Sequence, residues 1–259
     1  MSKDPIGIFD SGIGGTSILK EINALLPNEN CVYLSDSKNA PYGNKSKSEI
    51  LRLSIKNTEV LLSKQAKIIV VACNTATTNS IAYLRKSYKI PFIGIEPAIK
   101  PAALNTKSKT IGVLATKGTL SSSLFHNTSA LFAKGIKVIE QVGNGIVPLI
   151  ESGKLNSSEM TDLLKLYLEP MIEEHIDYLV LGCTHYPYLI PQLQELLPKE
   201  VKIIDSGRAV AKQTRTVLQQ LLLLNLSGSQ PSVEMFTNGN IEVLKTFSDK
   251  NFNSSYLDF

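Results

Sequence analysis

The sequence predicts an α/β protein built from two copies of one parallel-sheet module, and three observations carry that prediction. Short apolar runs alternate with stretches of helical spacing along most of the chain, the order that produces βα units and parallel strands. One run, Ile68-Ile69-Val70-Val71, is apolar at every position, as suits a strand covered on both faces. The same strand order then occurs twice. Ile111-Gly112-Val113-Leu114 repeats Ile6-Gly7-Ile8-Phe9, Val138 matches Val32, and Leu179 to Thr184 lies over Ile69 to Asn74. Asp205 after Ile203-Ile204 lies over Glu96 after Ile95, and the separations run only from 105 (111 − 6) to 110 (183 − 73) residues.

Taken in order, Ile6-Gly7-Ile8-Phe9 reads as the first strand. Ile18, Ile22 and Leu25 share one face of a helix that Pro27 stops. Val32 to Leu34 is the next strand, and Leu51, Ile55 and Leu62 mark a longer helix before the apolar strand at Ile68. Ile81, Leu84 and Tyr88 lie on another helix, followed by the strand Phe92 to Ile95. The second copy starts at Ile111. The Leu221-Leu222-Leu223-Leu224 run reads as a packed helix.

Composition narrows the class. With 259 residues and 43% hydrophobic content, the chain can bury one large core or two of modest size. The net charge of +4 comes from scattered Lys and Arg, a pattern of solubility rather than of a nucleic-acid footprint. No apolar stretch before Ile6 suits a signal peptide, and none approaches the roughly 18 to 20 residues of a membrane span, so the expected compartment is the cytoplasm. Cys31, Cys73 and Cys183 lie far apart, without zinc spacing and in a number that does not pair. No metal is expected, and each cysteine is expected to be a free thiol.

In parallel α/β sheets ligands gather beyond the carboxyl ends of the strands. Here those ends carry Asp10-Ser11, Cys73-Asn74-Thr75, Thr116 and Cys183-Thr184-His185. If two modules face one another, each supplies one strand-end cysteine. Such a pair suits inversion of a carbon stereocentre, which needs a base on one face and an acid on the other. A free thiol near pKa 8.5 is only a few per cent ionised at neutral pH, so each would need a helper, for which Asp10 and His185 are available. A single cysteine closing an apolar strand is more often a small buried hydrophobe, the reading kept for Cys31. Two at equivalent positions of a repeat, each followed by polar residues, reverse that balance. Gly12-Ile13-Gly14-Gly15 lacks the last glycine of a dinucleotide loop, where Ser17 stands, and reads as a tight turn whose amides can hold a carboxylate. His126 and His175 read as solvated or satisfied histidines.

Five segments together carry a family resemblance. Phe9-Asp10-Ser11-Gly12-Ile13-Gly14-Gly15, Ala40-Pro41-Tyr42-Gly43, Ala72-Cys73-Asn74-Thr75-Ala76, Gly94-Ile95-Glu96-Pro97-Ala98 and Leu181-Gly182-Cys183-Thr184-His185-Tyr186-Pro187 resemble the successive signatures of bacterial glutamate racemases. The match runs in order to about residue 210, with Phe236-Thr237-Asn238-Gly239 resembling the family's last strand more weakly.

The resemblance implies two flavodoxin-like parallel-sheet domains related by pseudo-two-fold duplication. The first would span 1–95 plus 208–259 and the second 96–207, with the active site in the cleft between them. Cys73 would take the α-proton from D-glutamate and Cys183 from L-glutamate, without pyridoxal phosphate or other cofactor. Asp10 would assist Cys73, and His185 would assist Cys183 with Glu151 as its partner. Asp10, Ser11, Tyr42, Gly43, Asn74, Thr75, Thr184 and His185 would bind the substrate, joined by the strand-end Thr116. The chain departs from the commoner family wording in Val142-Gly143-Asn144-Gly145, just before Glu151. The implied role is supply of D-glutamate for peptidoglycan and cell shape, by a homodimer. Inhibition of DNA gyrase, reported for some members, has no support in the sequence. Aspartate or hydantoin racemases share the scaffold, but aspartate racemases usually carry an acidic residue where His185 stands. A binding or regulatory protein with inert thiols is the remaining alternative.

Overall fold

The structure, a computed structural model, describes residues 2–227 and 230–259, so residues 1, 228 and 229 of the expected first domain lie outside it. The chain divides into two compact units, residues 1–95 with 207–259 and residues 96–206. The first unit begins with β1 (Ile6–Asp10), α1 (Thr16–Leu25), β2 (Cys31–Ser35), α2 (Lys47–Ser63), β3 (Ile68–Val71), α3 (Asn74–Ser87) and β4 (Phe92–Gly94). The second unit holds α4 (Ile99–Asn105), β5 (Thr110–Ala115), α5 (Lys117–Leu120), α6 (Ser123–Phe132), β6 (Lys137–Val142) and α7 (Ile146–Glu151). It continues with α8 (Ser158–Glu173), β7 (Tyr178–Gly182), α9 (Ile190–Leu196) and β8 (Lys202–Ile204). The chain then returns to the first unit as α10 (Gly207–Gln220), β9 (Val233–Thr237), α11 (Ile241–Phe247) and β10 (Asn253–Tyr256).

Every strand pairing is parallel. The first sheet runs β10-β9-β2-β1-β3-β4 and the second β6-β5-β7-β8. The second order repeats the β2-β1-β3-β4 part of the first, the 2-1-3-4 arrangement of flavodoxin-like folds, so the duplication predicted from sequence is present in the topology. The ladder register corrects one detail of it. Ile111 pairs with Val138 as Ile6 pairs with Cys31, so Val138 is equivalent to Cys31 and not to Val32.

Burial explains the strand patterns. Ile68 to Val71 are fully buried on an inner strand of the first sheet, while β6 and β8 at the edges of the second are partly exposed. Ser46 caps α2 by accepting the Glu49 N–H at 3.2 Å, and Ile50, Leu53 and Leu61 form its buried face. In the second unit Ile111, Val113 and Val180 pack with Ile99 and Ala102 of α4 and Phe125 of α6. Beneath the first unit, Lys67 Nζ lies 2.6 Å from Glu29 Oε2, both side chains almost fully buried. Lys67 also donates to the Ser2 carbonyl at 2.8 Å, and Glu29 Oε1 accepts the Asn225 N–H at 2.8 Å.

Two expectations fail on helix and strand ends. The Leu221 to Leu224 run is not a packed helix. α10 stops at Gln220, Leu222 turns to φ 56° with 80% of its surface exposed, and the Leu223 N–H closes the turn onto the Leu218 carbonyl at 2.8 Å. Nor is the strand at Phe236 the last, because β10 adds to its outer side. Among the described residues, no helix is long and apolar enough to cross a membrane.

Candidate active site

In the first unit the strand register brings the candidate residues together. β1 and β3 pair side by side, and the Ala72 N–H donates to the Phe9 carbonyl at 2.8 Å, so Asp10 and Cys73 leave adjacent strand ends. Cys73 is the N-cap of α3, its Sγ accepting the Ala76 N–H at 3.4 Å. A helix start presents partial positive charge to the sulfur there. The Cys73 thiol lies 3.6 Å from Ser11 Oγ, and that hydroxyl donates to Asp10 Oδ1 at 3.5 Å. The glycine turn holds Asp10 in place, since Oδ2 accepts the Gly15 N–H at 2.6 Å. A Cβ on Gly15 would lie 2.6 Å from the Asp10 Cβ, so this approach requires glycine. The carboxylate that the turn was expected to hold is therefore one of the protein's own.

Asn74 and Thr75 follow at the start of α3, both buried. Neither polar atom of the Asn74 amide has a partner, a costly state that marks it for a ligand. Tyr42 is buried in a short 3-10 turn with Gly43, and its hydroxyl is consumed internally. It donates to Asp36 Oδ2 at 2.5 Å and accepts from Asn57 Nδ2 at 3.1 Å. Burial first, then the Asp36 carboxylate, hold the Tyr42 pKa well above its ordinary value, so the phenol keeps its proton. Sequence reasoning missed Asp36 and Asn57. The strand-end rule could have found Asp36, because it directly follows β2.

In the second unit Cys183 occupies the same place after β7 that Cys73 occupies after β3, but its company differs. The chain leads into a short turn over Tyr186–Leu189 rather than a long helix. Cys183 Sγ lies 3.7 Å from His185 Nδ1, and His185 Nε2 lies 2.6 Å from Glu151 Oε1. His185 is only 1% exposed. Burial disfavours its charged form, but the contacts with Cys183 and Glu151 outweigh this and hold the imidazole pKa well above 6.5. Glu151 ends α7, whose start is set by the segment that departs from the family wording. Gly145 caps that helix at φ 80°. Gly143 passes so close to Tyr186 that a Cβ there would lie 2.2 Å from its hydroxyl, which donates to the Gly143 carbonyl at 3.3 Å. Thr184 is buried beside Cys183, and Thr116 caps α5 by accepting the Thr119 N–H at 3.3 Å.

The third cysteine stands apart. Cys31 is enclosed, and burial together with the nearby Glu29 carboxylate pushes its pKa to about 12, against a smaller opposing effect of Lys67. It is a packed thiol, as its sequence position suggested. His126 and His175 are both exposed.

Two parallel α/β modules, each placing a buried cysteine just beyond an inner strand, define a duplicated α/β protein. The chain belongs to the Asp/Glu/Hydantoin racemase family, whose profile matches residues 6–214. A glutamate racemase of Herpetosiphon aurantiacus is 44% identical over 92% of this chain and 94% of its own. Among solved structures, a glutamate racemase isoform of Bacillus anthracis superposes with a TM-score of 0.88 at 31% identity, covering 99% of this chain and 98% of its own. The glutamate racemase of Escherichia coli, solved with L-glutamate and an activator, gives 0.85 at 33% identity over 97% of each chain.

Proposed function

We propose that this chain interconverts L-glutamate and D-glutamate without a cofactor, by two-base proton transfer between cysteines. The observation that carries the reading is the pairing of Cys183 with the His185–Glu151 couple at the strand end equivalent to that of Cys73. Starting from L-glutamate, the Cys183 thiolate takes the α-proton and the Cys73 thiol gives its S–H proton to the opposite face of the carbanion. One C–H bond breaks, one forms, and the cysteines exchange thiol and thiolate states with no redox change. The reverse reaction uses the same groups in exchanged roles, as microscopic reversibility requires.

Asp10, through Ser11, serves Cys73, and His185, held by Glu151, serves Cys183. Asn74, Thr75, Thr116 and Thr184 supply neutral polar groups for the substrate, joined by Ser11 and the Tyr42-Gly43 turn. With its hydroxyl already engaged, Tyr42 contributes its backbone or ring. The reading demands one thiol on each face of the same α-carbon. The product supplies D-glutamate for peptidoglycan, and a cytoplasmic homodimer belongs to the same reading, checked by light scattering.

The test is circular dichroism of the reduced protein with L-glutamate and, separately, with L-aspartate, no cofactor added, and proton exchange followed in heavy water. Signal loss with glutamate alone is expected. Loss with aspartate instead would overturn the substrate, and a Cys73→Ser or Cys183→Ser variant that racemised near the parent rate would overturn the two-base scheme.

A further inference from the structure

Asp36 takes no part in the proton transfers, yet it is a carboxylate with 0% exposure held by donors from three separate segments of the chain. Tyr42 donates to its Oδ2, while Asn39 at 2.8 Å, Asn238 at 2.5 Å and Lys56 at 3.2 Å all reach its Oδ1. Two of these donors do double duty. Lys56, on α2, also donates to the Phe259 carbonyl at 2.9 Å, with its ammonium 5.1 Å from the Phe259 ring centroid. Asn238, just after β9, likewise reaches the Phe259 carbonyl at 3.3 Å, and its own Oδ1 accepts the Lys38 N–H at 3.0 Å. The two donors thus bridge the same pair of acceptors.

We propose that Lys56 is a positioning residue for glutamate. With Asn238 it clamps the Asp36 carboxylate to the chain at Phe259, and that clamped carboxylate fixes the Tyr42 hydroxyl and so the Tyr42-Gly43 turn. This rests on the glutamate racemase reading above. The physical reason is charge. Among the described residues, Lys56 is the only cation that contacts Asp36, and a buried carboxylate without one loses much of its reason to stay where it is. Lys56 itself is 26% exposed on its side chain, so the cation can be removed without opening a core cavity. Asn57 presents its Nδ2 donor to the Tyr42 hydroxyl, which leaves Asp36 as the acceptor of the hydroxyl proton.

The experiment compares the parent with Lys56→Met, Lys56→Arg and a variant ending at Tyr256. Each is assayed by racemisation kinetics in both directions and by calorimetric binding of D-glutamate. Lys56→Met should raise KM and Kd about tenfold while kcat stays within about twofold, the signature of lost binding rather than lost chemistry. Lys56→Arg should restore most of the affinity, and the shortened chain should shift KM in the same direction by less. A folded Lys56→Met with the parent KM would overturn the clamp, as would a fall in kcat at unchanged KM or an arginine variant as impaired as the methionine one. If Lys56→Met fails to fold, the shortened chain decides, and a parent KM there overturns the proposal. A parent that binds glutamate without racemising it would sink the racemase reading and leave the clamp to be judged on Kd. A parent that neither binds nor turns over would sink both.

Discussion

Replacing Glu151 by Gln keeps the shape of the side chain and removes its charge, which isolates the electrostatic part of the His185 contact. The contact is short, 2.6 Å, and His185 is enclosed, so it belongs with charge-assisted hydrogen bonds worth about 1.5–3 kcal/mol. That range corresponds to a loss of roughly 10- to 150-fold in kcat/KM. The loss must be equal in the two directions, because enantiomers have equal free energies in water and the equilibrium constant is fixed. The asymmetry appears instead in the isotope effect. Weakening the base that acts on L-glutamate makes its proton removal more rate-limiting. Glu151→Gln should therefore raise the primary effect measured with α-deuterated L-glutamate and lower that measured with α-deuterated D-glutamate. The assay is initial-rate circular dichroism with labelled and unlabelled substrates of each hand. Equal changes for the two hands, or a rise with D-glutamate, would refute the assignment of His185 and Glu151 to the Cys183 side.

Three further outcomes follow from other parts of the molecule. The folded pKa of His185 lies above its unfolded value, so its stabilising contribution is complete below about pH 6.5 and is lost as pH rises through the folded value. Melting temperatures taken from pH 6 upward should fall more steeply for the parent than for His185→Asn, and parallel curves would contradict the coupling. Leu222→Gly should stabilise the first unit by up to about 1 kcal/mol in urea denaturation, because glycine takes the left-handed cap conformation without the cost leucine bears there. A destabilised variant would show that the exposed leucine makes compensating contacts. Lys67→Met should cost about 3–5 kcal/mol, since it leaves Glu29 buried without its cation, and a loss under 1 kcal/mol in the same assay would count against that pairing.

The strands that flank the thiols were legible because burial on both faces leaves an unmistakable apolar run, as in Ile68 to Val71 and Tyr178 to Leu181. β10 was not legible, because Asn253-Ser254-Ser255-Tyr256 is a polar edge strand whose identity comes from pairing with β9 and not from its own pattern. α10 looked longer than it is because its end is a leucine in a conformation normally announced by glycine. At the site, Asp10, Cys73, Cys183 and His185 could be picked out by the rule of strand ends. Glu151, which lies 34 residues from its partner in sequence, was reached by resemblance alone. The Asp36 cluster draws on residues about 200 apart, a separation across which local pattern says nothing.

The interrupted layout of the first unit sets an order on its folding during synthesis. Residues 96–206 form an uninterrupted stretch and can close their own sheet as soon as they emerge, whereas β2 must wait for β9, made only after that stretch. Until then the fully buried β2 presents an open parallel edge of Cys31-Val32-Tyr33-Leu34-Ser35, its amides and carbonyls unmatched on that side. The nascent chain thus carries an open, apolar strand edge until β9 is made, and shielding of β2 in that interval bears on the yield of folded protein.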